Sequence, residues 1–391
     1  MQKIFISFTL LLFTTFLRLF SQVTPGTEVY LITCNPGTET YSHYGHSALR
    51  IVIPEKNSDQ VFNWGVFDFS TSNFAWKFAK GRLEYMLDTD SFKNFLRGYI
   101  YEKRSVYQQK INIEPSEIEK LLTLISENLK PENVRYRYDF FYDDCSTRIR
   151  DLLEKSIGTN LIYPPADTKN LPTFRDKVGE YQKDYMWLKL GIDLIMGTPA
   201  DKKASLRDQM FLPFDLQSGL SEALINRGNK RIPLLQNPVS VVEFNLPDHD
   251  RKFYSSPLVV LGIVLILIII FSAMCHESVI IKLFDIALFT LYSILAILMI
   301  FFNFFTDHLQ MKWNLNIIWL NPFLVLCLVS IVFNKKWEVW FKMVFYLALI
   351  SLFPLFFLPH VFNNALVPLA LILILRSSVR AGFSWNPFTK N

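Results

Sequence analysis

The sequence predicts an α+β exported domain followed by an all-α membrane bundle of about five helices. Three observations carry this expectation. Hydrophobic residues make up 51% of the 391 positions and crowd into runs beyond residue 254. Before that point, β-branched and aromatic runs give way to helical periodicity. The chain also opens with a short basic start and an apolar stretch, a pattern that directs export.

Residues 1–22, MQKIFISFTLLLFTTFLRLFSQ, place Lys3 ahead of an apolar run that closes on the small residue Ser21. This reads as a signal peptide, although Arg18 and Leu19 suit cleavage poorly and a retained N-terminal anchor also fits. Residues 23–160 then read as one α+β domain. EVYLITC, SALRIVI and QVFNWGVFDF form three expected strands, separated by the turn-rich NPGTETYSHYG and the polar PEKNSD. Pro115 opens a helix with Ile118, Leu121, Leu122, Ile125 and Leu129 on one face, and Pro131 closes it. A second helix is expected beside Cys145, because Ile149, Leu152 and Leu153 recur at helical spacing; Asp143 or Asp144 would cap it. Residues 161–254 read as a helical extension and linker on the same side of the membrane.

From residue 255 to 391 the apolar runs approach the roughly 20 residues a spanning helix needs. Spans are expected near 256–274, 281–303, 318–333, 338–358 and 362–376. If residue 254 is outside, the inner loops, the tail and their flanks hold seven of the eight basic residues of this region, and the C-terminus is cytoplasmic. The rest of the chain carries 32 basic and 31 acidic residues. That balance leaves no basic stripe for nucleic acid, which is excluded as a partner.

The chemistry concentrates in two motifs, YDFFYDDCSTRIRDLL around Cys145 and YSHYGHSALRI around His46. A thiol at a helix N-terminus meets unpaired N–H groups and the positive end of the macrodipole, which favour thiolate and could hold an oxyanion. A neighbouring imidazolium would reinforce this effect, and His46 at the edge of a turn is the natural supplier. A Cys34–Cys145 disulfide is the structural alternative in an oxidising compartment. The His43-x-x-His46 pair invites a zinc reading, but no CxxC or carboxylate cluster supports it, and neither metal nor cofactor is expected.

Taken in order, LITCNPGTETYSHYGHSALRI, FNWGVFDF, YDFFYDDCSTRIRDLL, MFLPFDL and TDHLQMKWNLNIIWLNPF resemble the Lnb-type lipoprotein N-acyltransferases of diderm bacteria. The resemblance spans nearly the whole chain. It implies a permuted papain-like, NlpC-like periplasmic domain on a multi-pass protein of the bacterial inner membrane. It also implies that Cys145 is the nucleophile and His46 the base. The residue before the cysteine is often Asn in such proteins and is Asp144 here. For the orienting third residue Asn63 is a candidate, with Asp68 or a backbone carbonyl open.

The implied reaction moves an acyl chain from a membrane phospholipid, through a Cys145 thioester, to the N-terminal amine of a diacylated lipoprotein. Substrate contacts are expected from His43 and Arg148, and from Asp307, His308 and Asn314 in the outward loop of the tail. Two other classes share features of the sequence. A membrane-tethered cysteine peptidase or amidase acting on cell-wall peptides would use the same dyad. A non-catalytic membrane component would tolerate paired cysteines.

Overall fold

A computed structural model describes residues 24–165, 169–245, 253–275, 279–353 and 363–383. The expected signal or anchor at 1–22 lies outside them, as do parts of the expected inner loops and tail. The chain forms two compact units: one takes the chain up to Pro172 together with the stretch from Lys203, the other takes Thr173–Lys202 together with the C-terminal helices.

The first unit is built on strands β1 (Glu28–Cys34), β2 (His46–Ile53), β3 (Ser58–Val66), β4 (Glu84–Ser91), β5 (Val106–Lys110), β6 (Arg135–Arg137), β7 (Leu161–Ile162), β8 (Leu224–Arg227), β9 (Lys230–Pro233) and β10 (Val239–Val242). Seven of them make one antiparallel sheet in the order β10-β5-β1-β2-β3-β4-β6, and β7-β8-β9 make a small second one. The three strands expected from the sequence form its centre.

Its helices are α1 (Phe74–Ala79), α2 (Phe92–Tyr101), α3 (Pro115–Asn128) and α4 (Cys145–Ile157), with Pro213–Glu222 later in the chain. Strand alternation sorts the side chains between two faces. Leu49, Ile51, Phe62 and Trp64 turn to one face, where Leu121, Leu122 and Ile125 of α3 and Ile149 and Leu153 of α4 complete the main core. Ile32, Ala48 and Val61 turn to the other, under Phe92 and Phe95 of α2. Each such fully buried aliphatic or aromatic side chain contributes about 1.5–3 kcal/mol, which fixes α4 against the sheet. Trp64 Nε1 donates to Asn128 Oδ1 at 2.7 Å and ties β3 to α3.

The second unit comprises α5 (Phe174–Tyr181), α6 (Met186–Ile195), α7 (Pro257–Met274), α8 (Val279–Phe304), α9 (Phe323–Val332), α10 (Glu338–Ser351) and α11 (Leu366–Arg380). Among the described residues three stretches are long and apolar enough to cross a membrane, namely Pro257–Met274, Val279–Phe304 and Leu315–Val332. The other two expected spans appear as α10 and α11, of 14 and 15 described residues. Instead of forming a single extension, residues 161–254 are divided between the units. Asn314 and Asn316, in the loop between α8 and α9, each donate to the carbonyl of Leu194 at the end of α6, at 2.7 and 3.1 Å. Arg175 of α5 is buried and bonds Asp201 at 2.6 Å and the carbonyls of Met196 and Gly197.

Candidate active site

Cys145 is the first residue of α4, so its own N–H and that of Ser146 have no partner within the helix. Asp144 caps the third: its carboxylate accepts from Thr147 N at 2.8 Å, while Thr147 Oγ1 accepts from Asp144 N at 2.7 Å. The preceding loop is held just as firmly. Asp139 Oδ1 accepts from the amides of Phe141 and Tyr142, and Phe211 of the MFLPFDL motif packs edge-on against both Phe140 and Phe141.

His46 opens β2 directly opposite Cys34. The preceding Gly45 has φ +82°, and a Cβ there would lie 2.7 Å from the Cys34 carbonyl oxygen, so only glycine lets the chain enter the strand this way. Gly45→Ala is therefore expected to cost about 1–3 kcal/mol, read as a lower thermal midpoint of the full chain. Asn63 Oδ1 lies 2.5 Å from His46 Nε2. An amide oxygen only accepts, so the ring proton sits on Nε2 and the Nδ1 lone pair is left as the base.

The Cys145 sulfur lies against the start of β2, at the residue that follows His46. Ser47, the residue after His46, directs its main-chain N–H to the Cys145 sulfur, and its hydroxyl accepts from Ser146 Oγ at 3.1 Å. Cys145 is buried and His46 half-buried, and their ionisation departs from the sequence-based expectation of thiolate and imidazolium. Burial pushes the Cys145 thiol up, against the pull of the Ser47 amide, the Ser146 hydroxyl and the amides at the helix start. Burial, with a smaller contribution from the Arg104 charge, pulls His46 down to about 4, against the Asn63 bond and the Asp144 carboxylate. Desolvation outweighs the helix dipole, and the resting pair is neutral thiol and neutral imidazole.

Cys34 and Cys145 are both free, which overturns the disulfide alternative. Of the other sequence candidates, His43 is buried beside the Tyr44 ring. Arg148 grips Asp143 through Nε and Nη2 at 2.5 and 2.9 Å and lies 3.4 Å over the Tyr136 ring, so it braces the loop before the cysteine. Asn314 is buried and committed to the Leu194 carbonyl; Asp307 is exposed and His308 half-buried, all three in the membrane unit. Among the described residues no cluster of His, Cys, Asp and Glu could hold a metal.

Residues 20–173 match the family model of the Lnb N-terminal periplasmic domain, and residues 248–384 that of the Lnb transmembrane domain. The chain belongs to the Lnb family. Comparison with curated proteins and with solved structures finds no match. Lnb membership places the protein in lipoprotein maturation at the inner membrane, with its α+β domain in the periplasm.

Sequence reasoning missed three parts of this Lnb site. Gly65 in β3 has φ +87°, and a Cβ there would sit 3.7 Å from both the Cys145 Cβ and the Tyr138 ring. A glycine inside an apolar strand is a signal of close approach, so this one was findable. Ser47 acts through its main chain and Arg104 through a bond to the Asn35 carbonyl 69 residues away, and neither leaves a local pattern.

Proposed function

We propose that this protein is a lipoprotein N-acyltransferase that carries an acyl chain from a membrane phospholipid on Cys145 to the N-terminal amine of a diacylated lipoprotein. The observation that carries this reading is the Cys145 thiol at an open helix N-terminus, met by the amide of Ser47, the residue that follows a His46 whose tautomer is set by Asn63. In this reading Cys145 is the nucleophile, His46 the base and Asn63 its orienting partner. The cysteine helix packed on an antiparallel sheet, with the histidine strand earlier in the chain, accords with a permuted papain-like fold. The helices α7 to α11 accord with five spans.

As Cys145 Sγ attacks the phospholipid ester carbonyl, its proton passes to His46 Nδ1. Because the resting pair is neutral, this transfer accompanies the attack. The N–H groups of Cys145 and Ser146 face the developing oxyanion. Collapse breaks the ester C–O bond; His46 returns the proton to the departing lysophospholipid oxygen, and an acyl thioester remains. The lipoprotein amine then attacks the thioester carbonyl and loses a proton through His46, and the C–S bond breaks to restore the thiol. A shielded site favours the amine over water.

The test is the intact mass of purified protein after incubation with phospholipid vesicles. An acyl adduct on Cys145 that a lipoprotein N-terminal peptide discharges supports the reading, and turnover of cell-wall peptide without an adduct refutes it. The pH dependence follows from His46. A base acts only when neutral, so formation of the Cys145 acyl adduct, the step that needs no lipoprotein amine, is expected to persist down through pH 6 and to fail as pH drops through about 4. A histidine in water would already be failing near its usual value of about 6.5. Initial rates between pH 3.5 and 8 check this.

A further inference from the structure

The periplasmic unit exposes an aromatic surface that its core does not use. Phe69, Trp76 and Phe78 are 66%, 56% and 53% exposed, and Tyr41 joins them at 59%. Their rings connect inward: Phe69 lies 4.9 Å from Phe67, Phe67 is 5.2 Å from Tyr85, and Tyr85 stacks on Tyr138 at 4.4 Å. Tyr138 in turn borders the Gly65 gap beside Cys145. Ring contacts thus run from the surface inward to Tyr138.

The α1 stretch of this patch is basic, with exposed Glu39, Asp68 and Glu84 at its margins in the chain. Between Phe69 and Leu83 the chain has Lys77, Lys80 and Arg82 and no acidic residue. Asp68, just before, is turned into Ser70, whose amide and hydroxyl it accepts at 2.8 Å. Lys80 Nζ lies 4.7 Å from the Trp76 ring centroid, a pairing that lets an amphipathic stem lie along an apolar ring with its ammonium at the water boundary. Large exposed apolar patches are uncommon on soluble surfaces, and tryptophan with lysine and arginine is the composition of segments that lie in a bilayer interface.

The geometry points to this surface, centred on α1, as a docking site for the outer face of an anionic bilayer, with Phe69, Trp76 and Phe78 entering the headgroup and upper acyl region and Lys77, Lys80 and Arg82 meeting lipid phosphates. This docking does not rest on the function proposed above.

Full-length protein in nanodiscs of phosphatidylethanolamine and phosphatidylglycerol provides the test, with bromine carried on the upper acyl chain. The fluorescence that Trp76 contributes is the difference between wild type and Trp76→Phe. Bromine is expected to quench that difference by about twofold or more, as it does for interfacial tryptophan. The triple change Lys77→Glu, Lys80→Glu and Arg82→Glu is expected to relieve the quenching. A difference signal indifferent to bromine overturns the docking, including the case of a soluble protein partner for this patch. Cys145→Ala protein should quench like wild type, so loss of acyl transfer alone leaves this inference standing and loss of quenching alone leaves the transferase reading standing.

Discussion

Cys145→Ala is expected to abolish both the acyl adduct and lipoprotein N-acylation, by at least about 10³-fold, while the protein still folds. The folding half of the expectation comes from the packing. Cys145 is a free, small, nearly buried group that closes no bridge, and the α4 start is held by the Asp144–Thr147 cap and the Asp143–Arg148 pair, which the substitution leaves alone. Cys145→Ser is the sharper variant. It keeps the size and the donor, yet a His46 held down at about 4 is a weak base, and a hydroxyl gives up its proton far less readily than a thiol. Serine is therefore expected to rescue neither the rate nor the adduct. In vivo complementation, intact mass and thermal unfolding of both variants check this together. Full acylation by either variant would assign the chemistry to another residue.

Cys145 and His46 stood out as candidates because such residues carry their chemistry in their type, and the start of α4 was legible because an N-cap pattern after an aromatic loop announces a helix start. β1 and β2 were legible for the plainest reason: EVYLITC and SALRIVI bury their apolar residues against two cores, so both faces show in the sequence. β4 was not. EYMLDTDS carries Glu84, Asp88 and Asp90 and buries only Leu87, and its strand identity comes from its pairing with β3 rather than from composition. The ionisation of the pair was misread for a related reason. Helix position and neighbouring charge can be read locally, whereas desolvation depends on what the rest of the chain places over the site. Residues 173–202 hid their place in the same way. Asn314 and Asn316 look like groups poised for substrate, and it takes the Leu194 carbonyl, more than a hundred residues away, to reveal their work.

Asp285→Ala is expected to be the most damaging single change in the membrane unit. Both oxygens of this carboxylate are engaged: Arg376 Nε and Nη2 approach at 2.8 and 2.9 Å, and Arg380 Nε at 2.6 Å. Arg376 also donates to Ser272 Oγ at 2.9 Å, so one guanidinium joins α7, α8 and α11. Asp285 and Arg376 are 0% and 2% exposed. Removing the acid strands one arginine in the bundle interior beside a second, which costs about 3–5 kcal/mol because a buried charge without its partner has neither water nor counter-charge. Removing both partners avoids most of that cost, so Asp285→Ala with Arg376→Met should recover much of the lost thermal stability. The pair of measurements also separates structure from chemistry. An intramembrane carboxylate is by default a functional candidate, but one whose oxygens are both occupied by arginines that link three helices has its capacity spent on register. Reconstituted double variant is therefore expected to keep acyl transfer within about threefold of wild type. Stable double variant without activity would instead give Asp285 a role in the reaction.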